Sequence, residues 1–230
     1  MIVLLLILGL LPGFAWLVFY VEEEETHPEP RQLILFAFVA GMAAGLVAVL
    51  LENLLAGAGA GVGVGELSLA ALTAFALIEE AVKFGAAYLA IGKSRLARNP
   101  VDLMIYLIVA ALGFATLENI GALVSLWLNT HAATGSIATG LLEALSLRFV
   151  GATLLHSLTS GVVGYYWALG MLRKSVTRHL IVGIAIASVL HLFFNLLILN
   201  YGNVAYALVF LTLLGFFVLN DFEKLKITIK

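Results

Sequence analysis

Apolar side chains run through this chain in blocks of about 18 to 28 residues, separated by short polar or glycine-rich stretches, and they never alternate with the period of two that marks a strand. At about 1.5 Å of rise per residue, blocks of that length cross a hydrocarbon core of about 30 Å as helices. The pattern predicts seven of them, over residues 2–20, 32–55, 66–91, 101–128, 141–172, 180–199 and 203–220. The expected fold is all-α, a polytopic transmembrane helix bundle forming one integral membrane domain over residues 1–230. Residues 66–199 form its four-helix core, and the blocks at 2–20, 32–55 and 203–220 are peripheral.

The blocks differ in texture. The first is Leu, Ile, Val and Phe all round, which suits a lipid-facing helix; it lacks the basic start and small-x-small site of a signal peptide. Residues 22–30 read as an acidic, proline-broken loop in which His27 is solvated. The second block carries Gly41-x-x-x-Gly45, a close-packing spacing, and Glu52 near its end, within reach of the interface. Residues 56–65, all glycine, alanine and valine, read as a flexible linker. The third block is rich in small residues, among them Ala70, Ala74, Ala81, Gly85 and Ala87, and on that ground is expected to be the buried central helix.

Composition agrees. With 63% hydrophobic residues, 11% charged and a mean hydropathy of +1.10, the chain falls outside the range of soluble domains. A net charge of −2 gives no electrostatic case for a nucleic-acid partner. The absence of cysteine excludes thiolate metal sites, cysteine nucleophiles and disulfides. Lys93, Arg95 and Arg98, then Arg173 to Arg178, then the tail, are the basic segments; they are expected on the cytoplasmic side of a prokaryotic cell membrane, with the amino terminus outside.

Candidate chemistry lies where charge interrupts these blocks. An ionised side chain at the bilayer centre costs about 2.5–3.5 kcal/mol on insertion scales, so Glu79, Glu80 and Lys83 within five residues must face protein or water. Glu118, His156 and His191 lie at similar depth on the next three blocks, with Arg148 nearer an end, so all can meet in one cavity. A Glu79–Lys83 pair, or a lone intramembrane histidine, is by itself an ordinary buried contact. Their coincidence at one depth is what points to a site. His131 and His179 sit at block edges and are given no role.

Carboxylates and imidazoles so gathered suit a divalent metal, with zinc the expected ion, and hydrolysis by a metal-bound water. The assignment takes Glu118, His156 and His191 as ligands, one from each of three helices. Glu79 is then the general base, held ionised by Lys83 at i,i+4; Glu80 supports it or is the alternative base, and Asn195, one turn beyond His191, donates to an oxyanion or orients a ligand. His-Glu-x-x-His and Gly-x-Ser-Gly are absent, and the aspartates Asp102 and Asp221 stand at block ends, which excludes zincin, serine and paired-aspartate mechanisms.

Over residues 66–199 these motifs resemble the PrsW-type intramembrane proteases, relatives of the CAAX-prenyl endopeptidases and bacteriocin-processing enzymes. Glu79, Glu80 and Lys83 match the first motif, Phe114, Glu118 and Asn119 the second, His156 with Ser160 the third, and His191 with Asn195 the fourth. The CAAX branch has histidine at the position of Glu118, which argues against a prenyl-protein substrate. The resemblance implies a catalytic four-helix core that cleaves peptide bonds in membrane-anchored regulatory proteins, such as anti-sigma factors. It leaves open whether the glutamate-activated water is bound to a metal. The expected partners are a membrane protein substrate and the lipid bilayer. Two rival readings stand beside it: a proton- or cation-coupled transporter, for which the halves show no repeat, and a non-catalytic scaffold or immunity protein.

The orientation is testable in this cysteine-free chain. A cysteine at Ser94 is expected to resist impermeant thiol reagents applied to intact cells, and one at Ser136 to label. Reversed labelling would overturn the topology.

Overall fold

The computed structural model describes residues 2–22, 30–61, 65, 67–91, 99–130, 148–201 and 204–229. They form seven helices: α1 (Ile2–Glu22), α2 (Arg31–Gly61), α3 (Leu69–Ile91), α4 (Pro100–Thr130), α5 (Thr153–Leu172), α6 (Val176–Tyr201) and α7 (Val204–Ile229), with a π-helical turn at Arg148–Ala152 leading into α5. The protein is thus an all-α, multi-pass membrane protein. Helices α1, α2, α4, α6 and α7 are long and apolar enough to cross a bilayer on those grounds alone. The two that fall outside this set, α3 and α5, carry Glu79, Glu80, Lys83 and His156. The proposed loops around His27, Lys93 to Arg98 and His131 lie outside the described residues.

Helix starts follow from local chemistry. The Ser68 hydroxyl accepts the Ala71 N–H at 3.2 Å and caps α3. Asn99-Pro100-Val101-Asp102 opens α4 as a capping box, with proline at the first helical position and the Asp102 carboxylate accepting the Asn99 N–H at 2.9 Å. Three boundaries differ from expectation, the first being α6, which begins at Val176 and not at Leu180. Helix α2 continues to Gly61, so residues 56–61 are helix and not linker: alanine at every second position keeps enough helix propensity to extend an existing helix. Helix α7 likewise continues through the charged tail, where Lys224 donates to Asp221 at 2.9 Å.

The centre of the bundle is α4, not α3. Of its apolar span 89% is buried, against at most 33% for the other candidate spans. Residues 101–116 are buried on every face. Helix α2 runs beside α4 with backbones nearly touching: a Cβ on Gly41 would run into the Ala110 carbonyl, and one on Gly113 into the Phe38 carbonyl. On α3, by contrast, Gly85 faces open space, and Leu77 and Leu89 are exposed. Small residues on α3 were thus a poor guide to the centre. Helix α1 is not lipid-facing all round either. Leu5 is fully buried against Leu123, and Gly9 and Gly13 fit against Ile120 and Thr116 of α4.

Helices α5 and α6 form a tight hairpin that sets the register of the site. Lys174 takes the left-handed conformation at φ 53°, and the Ser175 N–H donates to the Gly170 carbonyl at 2.8 Å. Gly170 packs on Val176, and Gly183 on Tyr166. One further stretch along this pairing, His156 faces His191, their rings 5.1 Å apart and nearly perpendicular.

The packing makes a prediction. Gly113→Leu, which drives a side chain into the α2 backbone, is expected to cost well over the ~1–3 kcal/mol typical of overpacking, whereas Gly85→Ala is tolerated. Thermal unfolding in detergent checks it; equal losses at both positions would contradict α4 as the spine.

Candidate active site

The structure brings Glu79, Glu80, Lys83, Glu118, His156 and His191 together from four consecutive helices, α3 to α6. At the bottom lie Glu80 and Lys83, their side chains wholly buried, with the Lys83 ammonium donating to Glu80 Oε1 at 2.6 Å. The same oxygen accepts from the Thr159 hydroxyl at 3.0 Å and from His191 Nδ1 at 2.9 Å. Lys83 therefore pairs with Glu80 at i,i+3, and not with Glu79 at i,i+4. Both spacings place side chains side by side on a helix, and the extra donors from α5 and α6 decide for Glu80. Phe114 packs under the cluster, its ring 5.4 Å from the Lys83 nitrogen and 5.3 Å from the His156 ring.

The partners fix the imidazole tautomers. Lys83 can only donate, so His156 Nδ1, 3.1 Å away, accepts. Its Nε2 then carries the proton and donates to Glu118 Oε2 at 2.8 Å. His191 donates from Nδ1 to Glu80, which leaves its Nε2 with a lone pair. Both rings approach one carboxylate oxygen: Glu79 Oε2 lies 3.8 Å from His156 Nδ1 and 3.7 Å from His191 Nε2. That oxygen is buried and has no hydrogen-bond partner among the described residues.

This geometry fits a metal. Bonds of about 2.0–2.1 Å at tetrahedral angles put ligand atoms about 3.4 Å apart, close to what Glu79, His156 and His191 offer, and their ligand atoms all lie within 4.8 Å of one another. Each histidine gives its second nitrogen to a carboxylate, Glu118 or Glu80, the arrangement that orients metal-binding imidazoles. The three-ligand group among the described residues thus contains Glu79 where the sequence reading has Glu118. Glu118 is held by His156 and, at 3.5 Å, by Arg148, and its side chain is 28% exposed.

Arg148, set by the π-turn, donates from Nε to Asn119 Oδ1 at 2.6 Å, and Asn119 donates to the Thr153 hydroxyl at 3.0 Å. This brace was missed, because Arg148 reads as lying near a block end. Thr159 was missed as well, although its place three residues after His156 puts it on nearly the same helix face. Asn195 is half-buried on α6 one turn beyond His191, and its side chain makes no hydrogen bond among the described residues.

The ion pair at the bottom gives a stability prediction. Lys83→Met strands a buried carboxylate and is expected to cost ~3–5 kcal/mol, while Lys83→Met with Glu80→Gln recovers part of the loss. Unfolding of the two variants in detergent is the check; a double variant as unstable as the sum of the singles would contradict the pairing.

The chain matches the PrsW family intramembrane metalloprotease family over residues 29–220. It is 30% identical over 162 residues to Protease PrsW of Geobacillus kaustophilus (strain HTA426), a match that covers 69% of this chain and 63% of that relative. No solved structure matches it significantly. A family match that takes in all four helices of the Glu–His cluster leaves one assignment: the chain belongs to the PrsW family of intramembrane metalloproteases.

Proposed function

We propose that the protein is an intramembrane endopeptidase that hydrolyses a peptide bond at the cluster of Glu79, His156 and His191. The observation that carries the reading is the convergence of His156 Nδ1 and His191 Nε2 on the unpartnered Glu79 Oε2, with the other nitrogen of each ring held by a carboxylate. Family membership weighs for this over the transporter and scaffold readings. The substrate class we propose is a membrane-anchored regulatory protein of the anti-sigma-factor kind.

In this reading Glu79, His156 and His191 would hold a divalent ion, zinc by preference, which would supply Lewis acidity and draw the pKa of a water towards 7. Glu80 and Glu118 keep the imidazoles turned to the ion. Glu79 is the carboxylate placed to take the proton that water gives up on attack. Asn195, one turn beyond His191, is the donor we assign to the oxygen of the carbonyl as it gains charge. The proton then passes to the amine that leaves.

One observation favours a second reading without metal. The Lys83 ammonium, 3.1 Å from His156 Nδ1, competes for the lone pair that a metal needs. Glu79 then activates the water directly, with His191 Nε2 beside it.

Cleavage of a model membrane substrate by purified protein, with metal content measured on the same samples, separates these. The metal reading expects about one metal per chain in the wild type. Glu79→Gln, His156→Ala and His191→Ala each lose metal and cleavage, whereas Glu118→Gln keeps the site but weakens metal affinity ~10–100-fold. An active protein that carries no metal and ignores chelators points to the second reading. Full cleavage by Glu79→Gln contradicts both.

A further inference from the structure

The mechanism leaves one charged side chain of the bundle without a task. Residues 49–55 of α2 are exposed with a single exception, Glu52. It continues the buried stripe of Gly41, Gly45 and Ala48, one helical turn beyond the last of them. Along that stripe α2 packs on α4, with Gly41 against Ala110 and Gly45 against Leu117, the neighbour of Glu118. Leu50, Leu51, Leu54 and Leu55 are turned outward around it, so the carboxylate is directed to the interior of the protein and not to the membrane surface.

What it meets there is negative. Glu118, across the α2–α4 interface, acts on Glu52 electrostatically, and Glu52 acts in turn on Glu79 of α3. Glu79 is only 8% exposed, and neither its Oε2 nor Glu52 Oε1, both buried, has a hydrogen-bond partner among the described residues. The cations of the cluster are engaged elsewhere: Lys83 donates to Glu80 and His156, and Arg148 to Asn119 and Glu118. Counted as ionised, Glu52, Glu79, Glu80 and Glu118 stand against Lys83 and Arg148. A divalent ion at Glu79, His156 and His191 would balance that excess in number but not in place, since Glu52 lies outside the ligand group. A half-buried carboxylate with like charge beside it and no cation of its own favours a cationic partner from outside the chain.

We infer that Glu52 is a specificity-determining residue of the peptidase site and receives a basic side chain, lysine or arginine, of the substrate close to the scissile bond. The inference rests on the endopeptidase reading. Glu118 and Arg148, 28% and 25% exposed, mark where the cluster opens, whereas Glu80 and Lys83 are sealed beneath it. A lysine or arginine entering there lays its apolar stem along the helices and brings its charge to the carboxylate. An acidic residue at the same place meets Glu52, Glu118 and Glu79, and that like-charge contact excludes it.

Exchanging charge on both sides tests this. A single-span model membrane substrate carries Lys, Gln or Glu in turn at each position flanking the cut, and kcat/KM is measured with purified wild type, Glu52→Gln and Glu52→Lys. The wild type is expected to prefer Lys to Glu at one of these positions. Glu52→Gln lowers the Lys-to-Glu ratio there by at least about tenfold, the effect of one charge-assisted hydrogen bond. Glu52→Lys lowers it further and cleaves the Glu substrate faster than the wild type does, a gain that misfolding cannot produce. The same ratio in wild type and Glu52→Gln overturns the proposal. So does an equal loss toward every member of the series, which assigns Glu52 to the reaction or to folding and not to the choice of substrate. A wild type that cleaves all members equally overturns the proposal alone; one that cleaves none overturns the endopeptidase reading, and the proposal with it.

Discussion

A charge that cannot reach water inside a bilayer must be met by protein, and the fold of this chain turns on how Glu80 and Lys83 meet that demand. Glu80 Oε1 collects donors from three helices: Lys83 from its own α3, Thr159 from α5 and His191 from α6. The convergence does two things at once. It neutralises a carboxylate that would otherwise be costly to bury, and it fixes the imidazole of His191 with its lone pair outward. Lys83, by donating to His156 Nδ1 as well, sets the opposite tautomer there and leaves the Nε2 proton for Glu118. The buried ion pair therefore also fixes the orientation of both histidines beside Glu79.

Holding this network in place falls to backbone contacts of small residues. Helix α4 lies against α2 at Gly41 and Gly113, against α1 at Gly9 and Gly13 and against α5 at Gly164, so it cannot slide without a clash. It presents Phe114, Glu118 and Asn119 to the cluster at successive turns. The α5–α6 turn sets the remaining register, and with it the 5.1 Å approach of the two histidine rings.

Much of this was legible in the sequence, for a physical reason. Ionisable residues are so costly in apolar blocks that Glu79, Glu80, Lys83, Glu118, His156 and His191 stood out without any structure, and their common depth implied one site. What the sequence did not reveal lay in contrasts that lipid erases. Leu5 looks like its neighbours, because a side chain against lipid and one against protein are both apolar, so α1 carries no periodic stripe. Small residues mark close packing only where a neighbour comes close, and Gly85 has none while Gly113 does. The choice between Glu79 and Glu80 for Lys83 could not be read from spacing, since i,i+3 and i,i+4 are both adjacent on a helix. It depended on Thr159 and His191, residues 79 and 111 positions away.

The central claim is that the two histidines are held in opposite tautomers beside Glu79. Nitrogen-15 NMR of histidine-labelled protein, freed of metal and assigned with His156→Ala and His191→Ala, tests this directly. The account predicts one neutral ring protonated at Nε2, lost in His156→Ala, and one neutral ring protonated at Nδ1, lost in His191→Ala. Two rings in the same tautomer, or a doubly protonated ring at neutral pH, would contradict it.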